Sequence, residues 1–374
     1  MSKKKKLGFW EKFATKELSR VSAVQAGNEL FLLSETEIKA LSKIRKNTYW
    51  KVGLAGILGV ALLYAPYHIF GASLFPETQV WIPIYKDYIP LEIGFIVYSL
   101  VLVLLEIWFL TYTNIKAVVK IAHACGHPNP NDQNFENNIN ALIAVGLEKK
   151  QNELESIGIN PYEGLNPWGV FIFQTILRLK AAVSGFIFKL LVKKALGRYA
   201  LRAVIDFAGM PVYAFWNIWG ARKVMNEARI RVMAPPLIKR FADLIYAEQK
   251  DNPEFKKYLY DTLQLISESK RSFHYNHFLL SVSLLEKFEI VITEEPPYNE
   301  GFLTEIESLS NETRRGVQQL FVFGIMIDGG LSRREKKAIR YLIDKKMLQY
   351  AEAEVVQWSK DYFAGRGIET FFKA

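Results

Sequence analysis

The chain has 374 residues, of which 50% are hydrophobic and 14% aromatic, so it has ample apolar material for both a buried core and membrane segments. Its single cysteine, Cys125, excludes an internal disulfide framework and fits a reducing compartment. The net charge of +10 is uneven, because residues 178–240 alone carry thirteen Lys or Arg and only two acidic residues. These cations alternate with apolar runs and no nucleic-acid recognition module accompanies them, so we expect anionic lipid as the partner and no nucleic acid.

Two apolar runs, Trp50–Phe70 and Ile93–Thr113, organise the chain. Each is about as long as the roughly 20 helical residues that cross the hydrocarbon core of a bilayer. Residues 71–90 between them carry one Lys and two acidic residues, whereas residues 1–49 carry eleven Lys or Arg against five acidic residues. The positive-inside rule therefore predicts a transmembrane hairpin over 50–113, with residues 1–49 and everything after Thr113 in the cytoplasm.

The predicted hairpin contains candidates for helix packing and for function. Its first run contains three glycines, Gly53, Gly56 and Gly59. Such small residues let helices approach closely, and either the second run or a second copy of the chain could pack there. Near the outer end, His68 and Glu92 would lie close together and could bond each other or water. Glu106 lies deeper, where a carboxylate is costly unless it is protonated, paired or facing a cavity, so a proton or transport role is open for it.

A basic and apolar segment follows. Its cations recur at helical spacing: Arg178, Lys180, Lys189, Lys193, Lys194, Arg198 and Arg202. The pattern favours helices lying in the cytoplasmic leaflet, with an apolar face in the lipid and the cations at the phosphates. A second transmembrane hairpin, made of 168–192 and 203–220, is the competing interpretation. A soluble helical core with a basic rim is a third.

Two motifs in the middle of the chain point to a family. They are Lys120-Ile-Ala-His-Ala-Cys-Gly-His-Pro-Asn-Pro-Asn131 and Phe207-Ala-Gly-Met-Pro-Val-Tyr-Ala-Phe-Trp-Asn217. In order and rough spacing they resemble segments of EcsC-like proteins, over about residues 110–235. That family is bacterial, helical and membrane-associated, and is named after a neighbour of an ABC exporter. The resemblance implies a location at the bacterial cytoplasmic membrane, makes an exporter one candidate partner, and supplies no enzymatic residues.

Residues 236–374 are predicted to form a separate soluble helical domain that begins after Pro235-Pro236. Within it, Gly329-Gly330 end one helix, Ser332 caps the next, and Glu335 closes a capping box three residues later. The stretch 321–339 resembles the acidic signature of TerB-like helical domains. That resemblance implies that Asp328 and Glu335 could share a cation, and helix capping is the competing role for both.

The expected fold is all-α. Its predicted regions are a basic N-terminal segment (1–49), a transmembrane hairpin (50–113), an EcsC-like membrane-associated region (114–235) and a TerB-like soluble domain (236–374). Because no nucleophile elbow, P-loop, dinucleotide fingerprint, zinc-protease helix or Cys-x-x-Cys is found, we expect neither an enzyme nor a cofactor. The favoured hypothesis is a membrane-anchored adaptor or regulator that binds anionic lipid and a protein partner, with a link to export or envelope stress. A subunit of a small homo-oligomeric channel or transporter that uses Glu106 is the first alternative, and a lipid-active enzyme is the second.

Overall fold

The computed structural model describes residues 8–20, 32–82, 87–128, 135–147, 207, 209–270, 272, 274–290 and 302–373. Within these residues the chain is helical apart from one two-stranded hairpin, which confirms the predicted helical architecture. The helices are α1 (Phe9–Leu18), α2 (Glu35–Phe70), α3 (Ile93–Ala124), α4 (Phe135–Gly146), α5 (Met210–Gln249), α6 (Pro253–Lys270), α7 (Tyr275–Lys287), α8 (Phe302–Glu305), α9 (Asn311–Met326), α10 (Arg333–Asp344), α11 (Glu352–Ala364) and α12 (Glu369–Lys373). The strands are β1 (Thr78–Ile82) and β2 (Asp87–Leu91).

The chain divides into two compact units. The apolar unit contains Ser42–Ala117 together with the described residues from 207 to 225, and the polar unit contains the described residues up to 41, from 118 to 147 and from 226 onward. Helices α2, α3 and α5 each begin in one unit and end in the other.

The predicted domain boundary at Pro235-Pro236 falls inside a helix, because α5 continues through both prolines. A proline in a helix interior removes a backbone hydrogen bond and crowds the preceding turn, which usually kinks or ends the helix. Here the neighbouring side chains Ala234, Leu237 and Ile238 are almost completely buried. Burial of that face stabilises the helical conformation across the two prolines. Because this burial depends on the rest of the fold, it could not be predicted from the residues around the prolines.

Two of the described helices are long and apolar enough to cross a membrane. They are α2, with 36 residues, and α3, with 32 residues and a mean hydropathy of 2.4 over its most apolar window. None of that window of α3 is buried, and only 22% of the corresponding window of α2 is. The core helix of a soluble protein is mostly buried, whereas most of the apolar side chains in these two windows are not buried.

The connection between α2 and α3 contains the β-hairpin, which the sequence analysis did not predict. Strands β1 and β2 pair antiparallel, with Trp81 opposite Tyr88 and their ring centroids 5.2 Å apart. Such aromatic cross-strand pairs stabilise two-stranded ribbons. The signal was present in the alternating β-branched and aromatic residues of 78–82.

The core of the polar unit is built around α6 and α9, which pack along each other, with α10 and α11 against them. Phe323 of α9 has no exposed surface, and its ring stacks on that of Phe241 at 4.0 Å. Helix α9 buries side chains on every face: Leu320, Val322, Phe323 and Ile325 are all fully enclosed. A helix with buried side chains on every face belongs at the centre of a bundle, so α9 is the central helix of this unit.

Candidate functional site

The first part of α5 packs against α2 within the apolar unit. A Cβ placed on Gly56 would lie 2.7 Å from the backbone nitrogen of Ala214, and one on Gly53 would lie 3.0 Å from the Cδ1 atom of Ile218. Gly56 therefore permits direct contact between two helix backbones, as small residues do in membrane helix pairs. The sequence analysis left open whether the three glycines face the second apolar run or a second copy of the chain, and in the structure Gly53 and Gly56 face α5.

Glu106 of α3 is the polar group at the centre of this unit. Its Oε1 atom accepts a hydrogen bond of 2.8 Å from the Nδ2 atom of Asn217 on α5, and that amide also lies 3.3 Å from the carbonyl oxygen of Val52 on α2. Its Oε2 atom faces Gly59, where an added Cβ would lie 3.3 Å away. The sequence analysis predicted that this carboxyl group is costly unless it is protonated, paired or facing a cavity. In the structure it has an amide donor, which lowers the cost of placing it among apolar helices.

A cluster of rings fills the opposite end of the unit, near the β-hairpin. Here the Tyr67 hydroxyl donates a 3.0 Å hydrogen bond to Glu92, and Tyr67 and His68 pack ring against ring. The predicted neighbours His68 and Glu92 are thus both present at this end, and Tyr67 contacts each of them.

Helix α5 and the residues before it run antiparallel to α2. Phe207 packs against the rings of Tyr64 and His68, and Ala214 lies beside Gly56 farther along. Residues 207 and 209–220 therefore lie alongside α2 over about 20 Å, at 1.5 Å per helical residue. This is the described part of the segment 203–220, which the competing interpretation assigned to a second hairpin. Its predicted partner, 168–192, and the seven predicted lipid-contacting cations, Arg178, Lys180, Lys189, Lys193, Lys194, Arg198 and Arg202, lie outside the described residues.

The end of the apolar unit remote from the β-hairpin carries all of its described Lys and Arg residues, and all of them are exposed. We call them the basic collar: Lys43, Arg45, Lys46 and Lys51 on α2, Lys116 on α3, and Arg222 and Lys223 on α5. Toward the apolar side lies an aromatic belt: Trp50, Trp108, Tyr112, Trp216 and Trp219. The Nζ atom of Lys223 lies 3.5 Å from the ring centroid of Trp219, and that of Lys116 lies 4.7 Å from that of Tyr112. Along α3 and α5 the residues thus change from apolar to aromatic to basic, which is the order across a membrane interface. On α2, Trp50 lies between the cations Lys46 and Lys51 at the end of the apolar run.

In the polar unit, the carboxylates of Asp328 and Glu335 share the ammonium group of Lys270. Its Nζ atom lies 2.5 Å from Asp328 Oδ2 and 3.3 Å from Glu335 Oε1, and its side chain is 1% exposed. The other oxygen of Glu335 accepts the backbone N–H of Ser332 at 2.7 Å, and this completes the capping box of α10. Glu335 thus has the capping role, one of the two that the sequence left open, and both carboxylates pair with a lysine of this chain. Among the described residues, no group of three or more His, Cys, Asp or Glu side chains could hold a metal ion.

The buried lysine also caps the end of α9. Its Nζ atom donates to the carbonyl oxygen of Ile325 at 3.1 Å, and the carbonyl oxygen of Ile327 accepts from Asn276 at 2.6 Å and from the Tyr362 hydroxyl at 3.0 Å. The last carbonyls of a helix have no partner within it and carry partial negative charge. Three elements thus satisfy the end of α9 through side chains, which gives Lys270 a structural role.

A second polar cluster joins α5 to α7. Burial raises the pKa of Glu227, but His274 and Arg231 outweigh it and hold that pKa well below its usual range. Arg231 donates to Glu227 at 2.7 Å, and His274 Nε2 lies 3.0 Å from the same oxygen. Because Nδ1 of His274 accepts the N–H of Asn276, we assign the proton to Nε2. The carboxylate of Glu227 on α5 is thus held by Arg231 of the same helix and by His274, the residue that precedes α7.

The lone thiol is not suited to nucleophilic chemistry. Burial, with a smaller contribution from Glu37, raises the pKa of Cys125 to about 12, so the reactive thiolate is scarce at neutral pH. Nearby, the Nε2 atom of His123 lies 3.3 Å from the backbone oxygen of Glu17. His123 and Cys125 thus lie at the packed C-terminal end of α3.

His277 should make the fold sensitive to mild acid. Burial, then the charge of Lys270, lower the pKa of His277 from 6.5 to about 3. Between these two pH values the unfolded chain binds a proton that the folded chain does not, so stability is complete above pH 6.5 and falls as the pH drops toward 3. We expect a loss of up to about 1.4 kcal/mol per pH unit in this window, measured as the thermal unfolding midpoint of the full chain in neutral detergent.

The variant His277→Leu should flatten this dependence between pH 6.5 and 4.5. The pKa of Glu227 is lowered in the folded chain, so the stability that Glu227 contributes is lost only below the usual pKa of Glu, about 4.5. The effects of His277 and Glu227 therefore fall in different pH ranges. Substitution of the exposed His123 by Leu is the matched control and should leave the slope unchanged. An unchanged slope in His277→Leu would contradict the assignment.

The fold and these sites define a helical protein that has two helices long and apolar enough to cross a membrane. Comparison of the chain with protein-family models, with curated proteins and with solved structures finds no match. The resemblances to EcsC-like and TerB-like proteins stay predictions.

Proposed function

We propose that the chain is an integral protein of the bacterial cytoplasmic membrane that anchors a helical domain at the inner face, where this domain binds a protein partner as an adaptor or regulator. The observation that carries the proposal is that α2, α3 and α5 each join a long apolar stretch to aromatic and basic residues at the same end of the unit. From Trp50 to Phe70, α2 extends about 30 Å, which matches the hydrocarbon thickness of a bilayer.

The charge distribution supports an orientation with the basic collar in the cytoplasm. The collar segments 42–51, 107–117 and 218–225 contain no acidic residue, whereas Glu77, Asp87 and Glu92 lie near the β-hairpin. Lys and Arg next to a membrane segment favour the cytoplasmic side. The N-terminal segment and the C-terminal domain would then both be cytoplasmic.

Cysteine labelling tests this orientation. In a Cys125→Ala background, we expect an impermeant maleimide to label Ser73→Cys in intact cells and to label Lys345→Cys only after permeabilisation, since both positions are exposed. The opposite pattern would overturn the orientation. Native Cys125 is a poor reporter, because its raised pKa slows the reaction with maleimide.

The position of residues 207–220 beside α2 favours the second-hairpin interpretation over helices that lie flat on the leaflet. Phe207 packs against Tyr64 and His68 near the β-hairpin, whereas Arg222 and Lys223 belong to the basic collar. A crossing of the membrane by this segment would put Gly209 within reach of the same reagent from outside. Protection of Gly209→Cys in intact cells, with labelling after permeabilisation, would restore the flat arrangement.

The adaptor role is tested by copurification after in-cell cross-linking in mild detergent. We expect a stoichiometric protein partner, and an exporter is the candidate that the EcsC-like resemblance suggests. Recovery of the chain only as a homo-oligomer would overturn the adaptor role and favour a channel or transporter.

Glu106 is the observation that favours a channel or transporter as the second candidate, since it is a carboxyl group held by Asn217 between three apolar helices. Glu106→Gln keeps the shape of the side chain and removes its charge and proton. If the chain conducts ions or protons through this site, flux into proteoliposomes should fall at least about tenfold, as loss of an intramembrane ionisable group implies. Glu92→Gln, near the β-hairpin, is the control and should retain flux.

The third hypothesis, a lipid-active enzyme, gains no support from Cys125, because its raised pKa keeps the thiol protonated.

A further inference from the structure

We propose that the basic collar is a binding surface for the phosphate groups of anionic membrane lipids. The inference rests on the proposed membrane location and adds to it a ligand class and a set of residues. These residues differ from the seven cations singled out in the sequence, all of which lie outside the described chain.

The collar is assembled from three helices at one level. The contacts of Tyr98 with Leu62 and of Tyr67 with Glu92 set an antiparallel register between α2 and α3, and Ala214 beside Gly56 does the same for α5. Continued along the helices at 1.5 Å per residue, this register places Lys46, Lys116 and Lys223 within about one helical turn of each other in depth. Lys46 and Lys223, which are 177 positions apart in sequence, thus reach the same layer.

The charge of the collar is not balanced within the segments 42–51, 107–117 and 218–225 that carry it. Its segments contribute seven Lys or Arg side chains, all exposed, and no acidic residue. Each Lys or Arg near an anionic surface adds about 1 kcal/mol of attraction, a factor of about five in affinity. A ligand with several phosphate groups in one plane fits this surface, and the headgroup layer of an anionic leaflet provides such a plane.

The neighbouring side chains favour a lipid over a soluble phosphate compound. Trp219 lies under Lys223 and Tyr112 under Lys116, and beyond them the side chains of α3 are apolar and exposed. An amphipathic ring beside a cation matches the boundary between acyl chains and phosphates. A soluble phosphate compound would leave this adjoining apolar surface unoccupied, so we assign the collar to lipid.

The test uses the full chain, purified in neutral detergent and mixed with equal amounts of phosphatidylglycerol and phosphatidylcholine. Retained lipid is counted by native mass spectrometry. The variant carries Gln in place of Lys43, Lys46, Lys116 and Lys223. The matched control carries Gln in place of four exposed lysines of the polar unit: Lys256, Lys337, Lys345 and Lys360. Both variants lose the same charge.

We expect the wild-type chain to prefer phosphatidylglycerol, the collar variant to lose this preference by about tenfold or more, and the control variant to keep it. Equal loss in both variants, or no preference in the wild type, would overturn the inference. Competition by millimolar glycerol phosphate would overturn the assignment to lipid, since the ligand would then be a soluble phosphate.

Alkaline extraction of cell membranes reports separately on the proposed function: a chain released into the soluble fraction would refute membrane anchoring, whatever its lipid preference.

Discussion

Substitution of Lys270 by Met should destabilise the folded chain by about 3 to 5 kcal/mol, the range for removal of one partner from a buried ion pair. The side chain of Lys270 is 1% exposed and those of Asp328 and Glu335 are 15% and 5% exposed. Without the ammonium group, two carboxylates remain close together with little water to solvate them. The carbonyl oxygen of Ile325 at the end of α9 loses its donor as well. Chemical denaturation in neutral detergent, followed by circular dichroism, measures the loss.

Two further variants separate this explanation from a general effect of losing a lysine. Lys287→Met removes a partly exposed ion pair with Asp243, in which the side chains are 35% and 51% exposed, and should cost less than about 1 kcal/mol. Combining Lys270→Met with Asp328→Asn and Glu335→Gln removes the uncompensated charge and should recover much of the stability. A chelator should leave the wild-type unfolding midpoint unchanged, because the lysine already supplies the cation. A cost below about 1 kcal/mol for Lys270→Met would refute a structural role for the cluster.

Substitution of Gly56 by Val should separate α5 from α2, at a cost of about 3 kcal/mol or more, the upper range for overpacking. The Cβ atom alone would lie 2.7 Å from the backbone nitrogen of Ala214 and 2.8 Å from the carbonyl carbon of Tyr213. Both obstacles are backbone atoms, which cannot rotate away as a side chain can. The helices must therefore move apart, and Asn217 would then lose its hydrogen bond to Glu106.

Cross-linking reports this separation directly. With Cys125→Ala as background, cysteines in place of Tyr64 and Phe207, whose ring centroids lie 6.3 Å apart, should be joined by a short bismaleimide. Gly56→Val should abolish the product. Gly220→Val is the matched control, since a Cβ at Gly220 would meet nothing within 4 Å. Efficient cross-linking in Gly56→Val would show that the contact between α2 and α5 does not depend on this glycine.

The features that were predicted correctly have short-range causes. The two apolar helices follow from the length and hydropathy of their own residues. The capping box of α10 follows from Ser332 and Glu335, three residues apart, because a helix start brings those two positions together. The cost of placing Glu106 in an apolar run could also be predicted, since that cost depends on the carboxyl group and its apolar neighbours in sequence and not on the rest of the fold.

Other features depend on contacts between distant parts of the chain. Asn217 is 111 positions from Glu106, and Lys270 is 65 positions from Glu335, so no periodicity or motif connects them. Packing against the rest of the polar unit likewise decides that α5 continues through Pro235-Pro236, against the local preference of proline.

The sequence by itself determined the helical class of the protein, its two long apolar helices and the ends of individual helices, because hydropathy and capping act over a few residues. Only the tertiary structure decided that Lys270 is the cation between Asp328 and Glu335, that Asn217 pairs with Glu106, and that cations from three helices form one collar. The physical reason is that each of these requires desolvated side chains from separate helices to meet, and the free energy of such a meeting depends on the whole packing arrangement.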